Sequence, residues 1–218
     1  MCDLRRQSGS PPDTDQGPVT PQPAADAREV LALAAELLGP VDAHLALAAK
    51  LAAMEAAWAM GDAAACREAL DPAPGQPEPD LRLAAFRAGM SAVMHGSLDT
   101  GRQRLREAVA GAGAAGTPEG PEALLRAGGA ALVVGDLSAA CRANSRALAV
   151  ARARGPRVLV SQALERLAYG ELRAGRHARA RAHAEDGLRT ALGAGQRNLA
   201  AHHHAILALA ASVEGSQE

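Results

Sequence analysis

The sequence predicts an all-α repeat protein of antiparallel helix pairs stacked one after another, about nine to ten helices in all. Three observations predict it. First, Gly61, Gly96, Gly135, Gly175 and Gly215 are separated by 35, 39, 40 and 40 residues, a period at which self-similarity signals stacked helical pairs and not one enzyme core. Second, each glycine closes an Ala-rich apolar stretch, followed by Asp62, Ser97, Arg176 after Gly175, Asp136 and Ser216 in their places. Glycine suits the left-handed backbone at a helix C-terminus, and Asp or Ser accepts the orphan N–H groups of the next helix. Third, Trp58, Phe86 and Tyr169 are the only aromatics among 218 residues. Ala and Leu must therefore fill the interior, which requires helices packed close together.

The elements follow in order. Residues 1–24 carry Pro11, Pro12, Pro18, Pro21 and Pro23 with no apolar periodicity, which predicts a disordered tail. The repeat domain spans 25–218. A leading helix runs from about Ala25 to Leu38, with Val30, Leu31, Ala34, Leu37 and Leu38 on one face, and Gly39 and Pro40 end it. The first pair is predicted at 41–60 and 62–70, stopped by the Pro-rich stretch 71–80. Then come 81–95 with 97–110, a Gly-rich loop over 111–121, 121–134 with 136–153, and 157–174 with 176–192. A last helix, 197–214, stands without a partner, so the array reads as truncated after a first helix.

Composition removes several functions. With 23 Lys plus Arg against 24 Asp plus Glu, no global field draws the chain to nucleic acid. Cys2, Cys66 and Cys141 are scattered with no CxxC spacing, which fits a reducing cytoplasm. Cys66 and Cys141 fall in the small-residue region of second helices, where burial explains them. The N-terminus shows no signal peptide, and Lys50 and Glu55 interrupt the longest apolar run, so no membrane span is expected. No G-x-x-x-x-G-K-[ST] occurs, and the one lysine, Lys50, lies in an Ala/Leu helix, so ATP hydrolysis has no support.

Aligned on the turn glycines, the units resemble the tetratricopeptide pattern. The fourth reads Leu164, Leu167, Ala168, Glu171, Gly175, Ala180, Ala184, Gly187. The third reads Leu124, Ala127, Gly128, Ala131, Gly135, Ala140, Asn144, Ala147, and the second Ala85, Ala88, Gly89, Ala92, Gly96, Gly101, Leu105, Ala108. The consensus aromatics are replaced by Leu or Ala and the period is longer. The resemblance implies a right-handed superhelix. Over Ala163–Gly215, with its AHHHA run followed by LALAASVEG, the chain also resembles the helical-repeat sensor of the large MalT-like LuxR-family transcriptional regulators of actinobacteria. It departs from their plan in carrying neither the P-loop ATPase nor the DNA-binding helix-turn-helix.

The tetratricopeptide register implies a concave groove lined by first helices. It would take Glu55 and Trp58 from the first unit and Phe86, Met90 and Met94 from the second. Leu125, Leu132 and Val133 come from the third, and Glu165, Tyr169 and Arg173 from the fourth. Arg87, Arg126 and Arg166 stand at its edge and His202 faces it. An apolar floor edged with arginines suits a peptide or an acidic, partly apolar ligand; the competing reading is that Phe86, Met90 and Met94 are core. Consecutive His202, His203 and His204 diverge by about 100° on a helix, poor geometry for a metal, and His204 is expected at the inward place. The arginines over 173–189 read as a solvated face, diluted by Glu171, Glu185 and Asp186.

The expected function is a protein- or effector-interaction module of a LuxR-type regulator, with no cofactor, no metal and no catalysis. The alternative is a free-standing tetratricopeptide adaptor, and the remote one a metal-dependent enzyme built on His202–His204. Self-association through 197–214 is expected from an uncovered side carrying Ile206, Leu207, Leu209 and Ala210.

Overall fold

A computed structural model describes residues 23–71, 80–111 and 120–215; all but the last two residues of the tail expected over 1–24 and most of the two expected loops lie outside them. The described residues form ten helices and no strand: α1 (Pro23–Leu38), α2 (Ala43–Ala59), α3 (Ala63–Leu70), α4 (Leu81–Met94), α5 (Leu98–Gly111), α6 (Pro121–Val134), α7 (Leu137–Arg154), α8 (Arg157–Arg173), α9 (His177–Gly193) and α10 (Arg197–Glu214). The helix expected from Ala25 begins two residues earlier; proline is tolerated in a first turn because its missing N–H would find no partner there.

Each helix packs on the next as consecutive antiparallel pairs, and α4 on α6, α6 on α8 and α8 on α10 also touch. The first helices of successive pairs thus form one inner layer. Asp caps start several helices: Asp42, Asp62 and Asp136 each accept from the N–H three residues on, at 3.0, 2.9 and 2.8 Å, and Asp80 takes Arg82 N–H at 2.8 Å. Arg176 and Gln196 occupy the same place before α9 and α10 with no side-chain cap.

The turn glycines behave as expected in four of five cases. Gly61, Gly96, Gly135 and Gly175 have φ between 72° and 85°, and the N–H of the residue after each returns to the carbonyl five back, as in Asp62 to Ala57 and Arg176 to Glu171, the hydrogen-bonding of a Schellman cap. Gly215 is a correction: its φ is −69°, ordinary right-handed backbone. The fifth left-handed glycine is Gly195, φ 69°, which turns α9 into α10 with the same bond from Gln196 to Ala191.

Three helix crossings set a glycine against a larger residue. A Cβ on Gly89 would meet Leu105 at 2.7 Å, on Gly128 Asn144 at 2.2 Å, and on Gly187 His203 at 2.0 Å. At the same register of the fourth pair, Ala168 and Ala184 are both buried. The apolar interior divides accordingly: Leu51, Met54, Leu70, Phe86 and Leu105 in the first half, and Leu124, Leu125, Leu159, Leu164 and Leu167 in the second. Ile206 and Ala210 are buried, Ile206 against Ala168 and Ala184. The uncovered side of α10 is therefore the one bearing Leu209 and Val213, not Ile206 and Ala210.

Candidate functional site

The inner layer encloses a cavity of about 530 Å³, within the range of small-molecule sites. Because the pairs stack in chain order, α4 and α6 form its floor and α2 and α8 flank it. Met54, Glu55, Trp58 and Ala59 come from α2, Phe86 and Met90 from α4, and Gly129, Leu132 and Val133 from α6. Gln162, Glu165, Arg166, Tyr169 and Arg173 come from α8, and Leu199 and His202 from α10. Every aromatic residue of the chain lines this one space. Phe86 is buried in the floor, whereas Trp58 is 55% and Tyr169 41% exposed.

Of the residues placed at a groove from sequence, Glu55, Trp58, Phe86, Met90, Glu165, Arg166, Tyr169, Arg173 and His202 line the cavity, with Leu132 and Val133. Four do not. Arg87 is buried and donates to the Leu70 carbonyl at 2.9 Å, tying α4 to the end of α3. Met94 packs on the core of the first half, and Leu125 is 2% exposed within that of the second. Arg126 lies one turn before Gly129 with its Nε buried and without a hydrogen-bond partner among the described residues. Burial pulls its guanidinium below the ordinary range, against the opposing charges of Glu55 and Glu122. Met54, Ala59, Gly129, Gln162 and Leu199 were not anticipated. Gln162 sits three residues before Glu165 and Leu199 three before His202, so helical spacing alone leads to both.

The polar groups are held in specific ways. Arg166 donates to the Leu125 carbonyl and lies over Gly129, where an added Cβ would stand 3.4 Å from its Nη1. Seven residues on, Arg173 donates to the Leu132 carbonyl at 2.9 Å and sits 5.8 Å from the centre of the Tyr169 ring, within cation–π range. Glu165 lies 3.4 Å from His202 Nδ1, an ion pair when the histidine is protonated. Burial pushes the Glu165 carboxyl up, but its bond to His202 and the charge of Arg166 outweigh this and hold it low; the same bond raises His202. Glu55 makes no ion pair or hydrogen bond with any described residue.

The three histidines point three ways. His202 faces the cavity, His204 is exposed, and His203 is wholly buried, so the inward place falls to His203 and not His204. Its Nε2 lies 3.2 Å from Ser161 Oγ, and that hydroxyl donates to the Gly187 carbonyl at 3.1 Å. A hydroxyl has one proton, so Nε2 must donate and His203 is the neutral Nε2–H tautomer, leaving Nδ1 buried without a partner. Burial lowers its pKa. A Ser-His contact of this kind suggests nucleophilic catalysis, but here the serine proton is committed to a carbonyl, both side chains are sealed between helices, and neither lines the cavity. Among the described residues no three His, Cys, Asp or Glu side chains converge as a metal site would need, and no helix is long and apolar enough to cross a membrane.

The second cluster lies where α9 begins. Glu171 is buried and bonded to Arg176, and Cys141 Sγ stands 3.9 Å from Glu171 and 3.7 Å from Arg176. Burial and the Glu171 charge push the Cys141 thiol up, away from nucleophilic thiolate. Asp186 pairs with both Arg152 and Arg189, which accounts for part of the arginine-rich stretch. No protein-family model matches the chain, and no curated protein is detectably similar to it.

Proposed function

We propose that this chain is a binding module, the effector- or protein-sensing segment of a LuxR-type regulator, and that the cavity among the first helices is its recognition surface. The placement of the aromatics carries the reading. In an interior of Ala and Leu, the only Trp, Phe and Tyr line one cavity, and two of the three rings stay about half open to water. Full burial of a large apolar side chain contributes about 1.5–3 kcal/mol, which exposed rings leave unclaimed. A ligand that covers them recovers the share of it that belongs to their exposed surface.

The regulator context rests on the likeness of residues 163–215 to helical-repeat sensors. The same surface would serve a free-standing tetratricopeptide adaptor. Binding, not turnover, is the role proposed, since Glu165 is engaged by His202 and the Ser161–His203 pair is sealed.

Screening a displayed peptide library and a metabolite library against the wild-type chain and Tyr169→Ala tests the surface. Ligands that raise the melting temperature of the wild type and not of the variant support it. Ligands indifferent to Tyr169→Ala and Trp58→Phe alike count against it. The coding DNA around this segment tests the context: an adjoining P-loop ATPase and helix-turn-helix favour the regulator, and unrelated neighbours favour the adaptor.

A further inference from the structure

We infer, on the reading of this cavity as a binding site, that its ligand is dipolar: a flat apolar body carrying a free ammonium at one end and a carboxylate at the other, as in a short aromatic peptide. The two flanks of the cavity are chemically opposite. On the α2 flank stand Trp58 and Glu55, a half-buried carboxylate with no ion pair or hydrogen bond to any described residue. On the α8 flank stand Tyr169, Arg166 and Arg173.

The other charges facing the cavity do not cancel this polarity. Glu165, on α8, is engaged by His202 at 3.4 Å. Arg166 and Arg173 each commit a donor to an α6 carbonyl, and a guanidinium has five, so both are fixed in place with donors to spare. Arg126 and Glu55 act on each other through charge, and Arg126 Nε has no hydrogen-bond partner among the described residues. Between the flanks the floor is apolar, with Phe86, Met90 and Leu132.

A ligand seated on that floor meets a negative group on one side and two positive ones on the other. A purely anionic ligand leaves Glu55 facing it unpaired, and a purely cationic one faces Arg166 and Arg173; a partly buried charge without a partner is costly. A dipolar ligand satisfies both flanks at once. Its rings lie against Trp58 and Tyr169, where aromatic pairs add to burial.

The dipeptide Phe-Phe and its end-capped forms test this, with the emission of Trp58, the only tryptophan, as readout and calorimetry as the second measurement. N-acetylation removes the ammonium and C-terminal amidation removes the carboxylate. Each cap is expected to weaken binding about tenfold, the scale of one charged hydrogen bond. Glu55→Gln should abolish the penalty of acetylation and leave that of amidation, and Arg166→Gln should leave the first and reduce the second. Circular dichroism confirms that each variant is folded; should Arg166→Gln fail to fold, Arg173→Gln takes its place.

Equal binding of the free and doubly capped dipeptides would overturn the inference and leave the cavity standing as an apolar site. No binding by any of the four would also overturn it. The library screen with Tyr169→Ala then decides separately whether the cavity binds anything.

Discussion

At three helix crossings this chain sets a glycine against one larger residue, whereas the cavity in front of the first helices is lined by every aromatic ring it possesses. The crossings are filled to contact. Gly187 leaves space for His203 and Gly128 for Asn144, with no room for even one added carbon. The cavity is the reverse, an open space of about 530 Å³ walled by the bulkiest side chains in the sequence. A fold selected for stability alone would place those rings in its seams. Phe86 joins the core of the first half, but Trp58 and Tyr169 stay out of it, which separates what holds the solenoid together from what it presents.

The sharpest way to break this division is to enlarge a seam. Gly187→Val puts atoms where a Cβ already falls 2.0 Å from His203, and overpacking on this scale costs about 3 kcal/mol or more, read as a lowered denaturation midpoint. His203→Ala in the same chain should restore part of the loss, a non-additivity expected of touching residues. By contrast, Gly129→Ala at the cavity puts its Cβ 3.4 Å from the end of the Arg166 side chain. It should stay within about 1 kcal/mol of wild type, helped by the better helix propensity of Ala.

The seam at His203 also titrates. Burial lowers its folded pKa below the unfolded value, so its contribution to stability is present above the unfolded pKa of about 6.5 and is lost as pH falls toward the folded one. Over that window wild-type stability should fall by about 1.4 kcal/mol per pH unit relative to His203→Leu. His202 works in the opposite sense: its pKa is raised by Glu165, so its contribution is present below the unfolded value and lost as pH rises through the folded one. Denaturation of wild type, His203→Leu and His202→Ala across pH 5–8 separates the two.

Caps give the next smaller effect. Asp136→Ala removes the 2.8 Å acceptor for Ala139 N–H and should cost about 1 kcal/mol. Gln196→Asp should stabilise α10 by about 0.5–1 kcal/mol, because Gln196 now makes no side-chain cap there. Thermal melts of the two variants measure both.

The helices were legible because their ends are written in residues with few alternatives: Gly61, Gly96, Gly135 and Gly175 at left-handed turns, and Asp42, Asp62, Asp80 and Asp136 at starts. Gly195 escaped because it lies half a period after Gly175, between units and not within one. Gly215 was misread because spacing cannot show φ. Most of the cavity lining could be carried from register, since helical position fixes which residues share a face. What register could not show was reach. Arg87 occupies an edge position, yet its long side chain turns inward to the Leu70 carbonyl. Nor could it resolve a one-residue slip: consecutive residues differ by about 100°, enough to exchange buried His203 for exposed His204.

The central claim, that the two exposed aromatic rings serve binding and not folding, is tested most directly in the Trp58→Ala, Tyr169→Ala double variant. Its unfolding free energy and its affinity for ligands selected on the wild type would be measured side by side. The account predicts a stability loss of no more than about 1 kcal/mol per ring, in keeping with their exposure, together with loss of binding. A loss of several kcal/mol on the scale of a buried aromatic, with affinity unchanged, would contradict it.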